Sequence, residues 1–276
     1  MVLNLDKTFR PFIGPEIEFE AFFFNGGEPH IKIRSPLQSE KTTVTTKLNS
    51  FNDLGMLLVA IDALKRLGAK KIELFIPYFP GARQDRVMVA GEALTVKVYA
   101  DIINSLNLDK IGIFDPHSDV APALLNNCNV LNNHAFISKV VQMLPKNVLL
   151  VSPDAGALKK IHKLATYLID YEVLECGKSR NVQTGALSGF TVPVQDLNQQ
   201  DCLIVDDICD GGGTFIGLAK ELKKKNAGNL YLAVSHGIFS KGINHLLAFY
   251  ESIFTSDSIN EITADKLHII PINQMA

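Results

Sequence analysis

No run of apolar residues in this chain approaches the length of a bilayer crossing, and the opening MVLNLDKTFRPF lacks the charged and hydrophobic regions of a secretory signal. Neither sign of charge dominates: 27 basic and 29 acidic residues leave a formal net charge of −2. That balance gives no electrostatic reason to expect nucleic acid or an anionic membrane as a partner. Cysteine is scarce. Four residues (Cys128, Cys176, Cys202 and Cys209) with no C-x-x-C spacing argue against a zinc site or a disulfide framework, and for reduced thiols in a cytoplasmic protein. No Ser-His-Asp or Cys-His signature announces a covalent nucleophile. What is present is 276 residues, 47% of them apolar, enough for one large domain or two of ordinary size.

Helical and strand patterns alternate through most of the chain. Helices are expected at 54–67, 93–106, 156–168 and 214–225, and strands at 71–76, 110–114, 147–151, 203–205 and 230–234. Such alternation predicts an α/β protein with mostly parallel sheets flanked by helices. The first forty-odd residues are richer in β pattern, with IEFEAFFF and HIKI on either side of a turn at Asn25-Gly26-Gly27. A faint internal echo relates ALKRLGAKKIELFIPYF, from Ala63, to ELKKKNAGNLYLAVSHGIF, from Glu221. It favours two similar α/β domains in tandem, 1–140 and 141–276, leaving the last strand the option of packing back on the first.

The segment CLIVDDICDGGGTF, residues 202–215, is the most informative stretch. A buried strand runs into Asp206 and Asp207, then Asp210, the glycines Gly211, Gly212 and Gly213, Thr214 and a helix start. Bare N–H groups and the helix dipole suit an anion such as phosphate. Carboxylates there would repel that anion unless they held hydroxyls or a cation. A sugar phosphate offers both groups, so the segment reads as a ribose 5-phosphate cradle. The alternative, a βα turn whose aspartates merely cap a helix, stays open on this segment alone.

Four further clusters lie at predicted strand ends or turns. PYFPGARQDRVMVAGEALT carries Arg83, Gln84, Asp85 and Arg86, suited to phosphate, base or sugar edges or to a solvated salt-bridged loop. In IFDPHSD, His117 between Asp115 and Asp119 could ligate a divalent cation or be a hydrogen-bonded structural residue. In VSPDAGALKK, Asp154 could cap a helix or supply a carboxylate to a metal or sugar. LECGKSRNVQTGALSGF reads as a mobile hairpin in which Lys178 and Arg180, two apart, share one face. Such a flap could close over a polyphosphate, or be only a basic exposed hairpin.

In this order, RQDR, DPH, SPD-x-G, K-x-R and VDD-x-x-D-x-x-GT, the motifs resemble those of the ribose-phosphate diphosphokinase (PRPP synthetase) family, over roughly residues 50–257. The resemblance implies two tandem phosphoribosyltransferase-like domains and transfer of the β,γ-diphosphate of ATP to the 1-hydroxyl of ribose 5-phosphate, giving PRPP and AMP. It implies ATP contacts from Arg83, Gln84, Asp85, Phe24, Glu28 and His117. Lys178 and Arg180 would be catalytic, and His117 and Asp154 would lie near Mg2+. Asp206 and Asp207 would hold the ribose hydroxyls, with Asp210, Gly211, Gly212, Gly213 and Thr214 around the 5-phosphate. A homo-oligomer, dimer or hexamer, is implied as well.

Three stretches depart from the family pattern. The F-S-D-G-E turn is here Phe24-Asn25-Gly26-Gly27-Glu28, the stretch before the first helix is not recognisable, and the D-T-A-G-T loop is D-G-G-G-T. The chain as given ends on HIIPINQMA, short of the family's terminal helix. The barer loop raises an alternative acceptor, a bulkier 5-phosphorylated ribose such as ADP-ribose. A PRPP-dependent phosphoribosyltransferase and a non-catalytic regulator are the alternatives of other classes.

Overall fold

The structure, a computed structural model, describes residues 1–169, 171–180, 187–259 and 262–275, with only the backbone of residues 179, 180, 187 and 188. It divides into two units, Met1–Asn132 and Asn133–Met275.

The first unit is built on a parallel sheet with strand order β1 (Val2–Asn4), β4 (Lys41–Thr45), β5 (Lys71–Ile76), β6 (Lys110–Phe114) and β7 (Cys128–Leu131). Between β1 and β4 the chain makes an antiparallel hairpin, β2 (Phe19–Phe23) and β3 (Pro29–Ile33), around the expected turn. Helix α1 (Phe51–Arg66) starts three residues before its apolar pattern does, because Ser50 caps it: the Asp53 N–H donates to Ser50 Oγ at 3.3 Å, and the Ser50 N–H to Asp53 Oδ2 at 2.7 Å. Its buried residues Leu54, Leu57, Ile61 and Leu64 recur at helical spacing and enter one core with Val96, Ala100 and Ile103 of α2 (Thr95–Asn104). A short helix, α3 (Val120–Leu124), follows β6.

The second unit starts with α4 (His134–Gln142), so the division falls at 132/133 and not at the expected 140/141. The reason is packing: α4 lies against α5 (Leu158–Leu168) and β13 (Leu230–Gly237). Its parallel sheet has the order β15 (Leu267–Ile270), β14 (Ser252–Ser256), β13, β12 (Cys202–Cys209), β8 (Leu149–Ser152) and β9 (Val173–Glu175). The last strand therefore pairs with β14 inside this sheet, where Leu267 packs on the second core. A second hairpin, β10 (Gly177–Arg180) and β11 (Leu187–Thr191), leaves the sheet after β9. Helix α6 (Gly213–Lys224) carries Phe215, Leu218, Ala219 and Leu222 into the core, and a short α7 (Asn244–Leu247) follows β13. Among the described residues, no helix is long and apolar enough to cross a membrane.

Candidate functional site

In the second sheet β8 and β12 are neighbours, and the chain leaves them in opposite directions: β8 leads through α5 to β9, and β12 through α6 to β13. The crevice outside the carboxyl ends of such a pair is the topological switch point, where open α/β sheets bind ligands. Asp154 lies two residues beyond the end of β8, and Asp206 to Thr214 form the end of β12, the glycine loop and the start of α6. Two of the sequence-derived clusters thus meet at one place.

The strand is longer than its apolar pattern. It runs to Cys209, with Asp206 paired to Val234 and Ile208 to His236, so the acidic pair lies within the ladder and not beyond it. Asp207 is buried and its N–H donates to Asp206 Oδ1 at 2.9 Å. Burial, the neighbouring Asp207 charge and a hydrogen bond between the two carboxyl groups push the Asp206 pKa well above the usual carboxylate range, and Asp154 adds to the effect. Asp206 still exposes part of its residue surface. The carboxyl group is desolvated while one side of the residue can be reached, which suits a group waiting for a hydroxyl or a cation.

The glycine loop is not uniformly bare. Gly212 has φ +74°, in the left-handed region. A Cβ on Gly212 would sit 2.9 Å from both His245 Nε2 and Leu246 Cδ2, so the backbone itself requires glycine there. Gly211 differs: a Cβ there would meet only the stem of the exposed Lys241, at 3.5 Å from Cε. His245 Nε2 lies 3.2 Å from the Gly211 carbonyl oxygen. The loop is open at its first glycine and closed at its second.

Lys178 extends the site. Its Nζ donates to Asp154 Oδ2 at 2.7 Å, while the Gly156 N–H donates to Asp154 Oδ1 at 2.9 Å. The hairpin carrying Lys178 is seated on α6 through Phe190, whose ring fills the notch left by Gly217: a Cβ there would lie 2.2 Å from the ring. Arg180 lies in β10, but its side chain is outside the described residues, as is the hairpin tip at 181–186.

The first unit joins two other clusters. Asp85 is buried, its carboxylate taking hydrogen bonds from Arg86 Nε at 2.8 Å and Arg86 Nη2 at 3.2 Å. That guanidinium, a hydrogen bond from Ser118 and the nearby His117 hold the Asp85 pKa below the usual range against the opposing effect of burial. The RQDR loop and the DPHS turn after β6 are therefore in contact. Asp115, in that turn, is buried at φ +35°, a conformation an L residue adopts only when its surroundings impose it. Arg83 and Gln84 are exposed beside it. Phe24 and Glu28 close the first hairpin, the Phe24 N–H donating to the Glu28 carbonyl at 2.9 Å, and the Phe24 ring stands exposed against Phe22 and His30.

Sequence reasoning missed Asn133 and Lys160, which line a hollow beside Asp206 and Asp207, and Lys241 and His245 at the loop. Nothing in local spacing ties residue 133 to 206. A basic residue just after the AVSHGIF strand was the one available signal for Lys241. Among the described residues, no three His, Cys, Asp or Glu side chains are arranged as a metal cage. Mg2+ rarely needs one, since it keeps several waters and binds one or two carboxylates plus substrate phosphates.

Comparison with known proteins also finds two domains in tandem. Residues 15–106 match the N-terminal domain of ribose phosphate pyrophosphokinase, and residues 123–252 match the phosphoribosyl transferase domain. A ribose-phosphate pyrophosphokinase of Mycoplasma pneumoniae is 32% identical over 256 residues, covering 88% of this chain and 76% of that protein. One from Corynebacterium efficiens is 30% identical over 261 residues, covering 90% and 79%. The solved phosphoribosylpyrophosphate synthetase of Mycobacterium smegmatis has the same fold, with a TM-score of 0.82 at 22% identity, covering 94% of this chain and 87% of that one.

Proposed function

The chain belongs to the ribose-phosphate pyrophosphokinase family, enzymes that transfer diphosphate, and we propose that it moves the β,γ-diphosphate of ATP onto the 1-hydroxyl of ribose 5-phosphate. The observation that carries this reading is the pairing of a desolvated Asp206–Asp207 couple with a phosphate-type loop at one switch point. The bond from O1 to Pβ forms as the bond from Pβ to the oxygen bridging it to Pα breaks. The O1 proton is lost, and AMP leaves with the bridging oxygen. No covalent nucleophile is needed, because positioning and charge neutralisation supply most of the catalysis.

Asp206 and Asp207 would accept hydrogen bonds from the sugar 2- and 3-hydroxyls, and Gly211, Gly212, Gly213 and Thr214 would face the 5-phosphate. Arg83, Gln84 and Asp85 would serve the ATP side, with Asp85 acting mainly by holding Arg86 and the DPHS turn. Lys178 and Arg180 would neutralise charge on the transferring group. Asp154 in the second unit and His117 in the first would each serve as a ligand to Mg2+, whose chemistry when bound is neutralisation of the ATP phosphates. A cytoplasmic location and a homo-oligomer, dimer or hexamer, belong to the same reading.

One observation favours a second acceptor. Lys241 lies along Gly211 at the open end of the loop, without a hydrogen-bond or ion-pair partner among the described residues. A ribose whose 5-phosphate carries a further phosphate ester, such as ADP-ribose, would meet that cation. The test is AMP formation from ATP and Mg2+ with ribose 5-phosphate and with ADP-ribose. AMP with neither, but consumption of PRPP with a base, would overturn the reading in favour of a phosphoribosyltransferase.

A further inference from the structure

Lys178 and Asp154 have been given separate tasks, one on the transferring diphosphate and one on the metal, yet they bind each other. Asp154 has both carboxylate oxygens engaged, Oδ1 by the Gly156 N–H and Oδ2 by Lys178 Nζ. The lysine side chain is 12% exposed and the aspartate 26%, so neither end of the pair is a solvated surface contact. A cation bound directly to Oδ2 would sit about 2.0–2.1 Å away if it were Mg2+. The ammonium already holds that oxygen at 2.7 Å. Two cations crowded onto one partly buried oxygen repel strongly, so one displaces the other.

We propose that Asp154 is a positioning residue for Lys178, and that metal and lysine occupy the carboxylate in turn. Without metal the ion pair pins the start of β10 to the loop after β8 and withholds the ammonium from ATP. When a divalent cation takes Oδ2, the Lys178 ammonium is released, free to meet the diphosphate that the metal accompanies. The flap cation is thereby delivered only when the metal is present. This rests on the reading of Lys178 and Asp154 given above, and it adds their mutual exclusion.

The test reads Lys178 directly, with no ATP or acceptor present, so a failure of diphosphate transfer would leave it standing. The full chain is labelled with an amine-reactive acylating reagent and modification of Lys178 is quantified by mass spectrometry, with and without Mn2+. Labelling should rise at least about fivefold on adding Mn2+. In D154N it should be high from the start and indifferent to Mn2+. By calorimetry, K178M should bind Mn2+ about tenfold more tightly than wild type, having lost the competitor. Lys178 labelled equally in wild type and D154N, or wild-type labelling unmoved by saturating Mn2+, would overturn the proposal. D154N and K178M act on opposite partners, so a folding failure in one still leaves the other to decide.

Discussion

Asp206 sits in a strand, desolvated and beside a second carboxylate, an arrangement that costs stability unless a ligand compensates. Its raised pKa fixes the sign of a pH effect. Between the ordinary carboxylate range, about 3.9, and the higher folded value, the native state holds more protons than the unfolded chain, so stability falls as pH rises through that window. The ligand-free D206N protein should therefore melt higher than wild type by a few degrees, on the order of 2–5 °C at pH 7–8, with the gap closing toward pH 4. It should also fail to support diphosphate transfer. A lower melting temperature for D206N at pH 8 would show that Asp206 stabilises the fold. Asp85 has the opposite sign: held below the usual range by Arg86, it contributes stability above about pH 4 that is lost as pH falls through its folded value.

Cysteines give a second test at this scale. Cys176, Cys202 and Cys209 are buried, and burial pushes each thiol up to about 12. In the native protein a disulfide-exchange reagent at pH 8 should titrate at most one thiol, Cys128, which is only partly buried, and the full four after denaturation. Rapid native labelling of three or more would contradict the packing of β12. The buried role of Cys202 was legible from its apolar neighbours. That Cys209 would be buried was not, because it lies beyond the apolar run, past two aspartates, and is enclosed only because β12 continues along β13.

Among elements, the hairpin of β10 and β11 has the clearest dependence on one contact. Phe190 lies in a notch that exists only because residue 217 has no Cβ. G217A should unseat the hairpin base without touching the acid pair or the loop. The expected result is a fall in kcat of about 10–100-fold with acceptor binding changed less than threefold, since proper placement of a charge over the transferring group is worth factors of that order. K178A removes the charge itself and should cost about 10²–10³ in kcat. An acceptor Kd that worsened in parallel with kcat in G217A would mean that Phe190 supports the loop and not the flap. The hairpin, the helices α1, α2, α5 and α6 and the strands β5, β6, β8, β12 and β13 were readable from periodicity and turn residues, whereas short elements such as α3, α7 and β7 carry too few residues to show a period. Element ends were not, because caps and ladder pairing set them: Ser50 moved α1 forward, and pairing with β13 carried β12 through its own aspartates.

At the scale of the molecule, each unit has its own core, one through α1, α2 and β4 to β6, the other through α6 and β12 to β14. Order of motifs along the chain was enough to expect two tandem domains. The true division depended on α4 packing with α5 and β13, a long-range choice that its own amphipathic sequence leaves open. Every residue proposed for the sugar phosphate, Asp206, Asp207 and Gly211 to Thr214, lies in the second unit, as do Asp154 and Lys178. The segment 133–276 produced alone should therefore fold, melt cooperatively and bind ribose 5-phosphate, while making no AMP from ATP. Ligand that binds only the folded form stabilises it by about 2.7 kcal/mol at a hundredfold excess over Kd, which for a domain of this size is a rise in Tm of roughly 5–10 °C. Adding D206N and D207N together should abolish that rise while leaving the transition cooperative. A segment that folds but shows no ligand-dependent rise would place part of the acceptor site in residues 1–132, and the acid pair would lose its claim to the sugar.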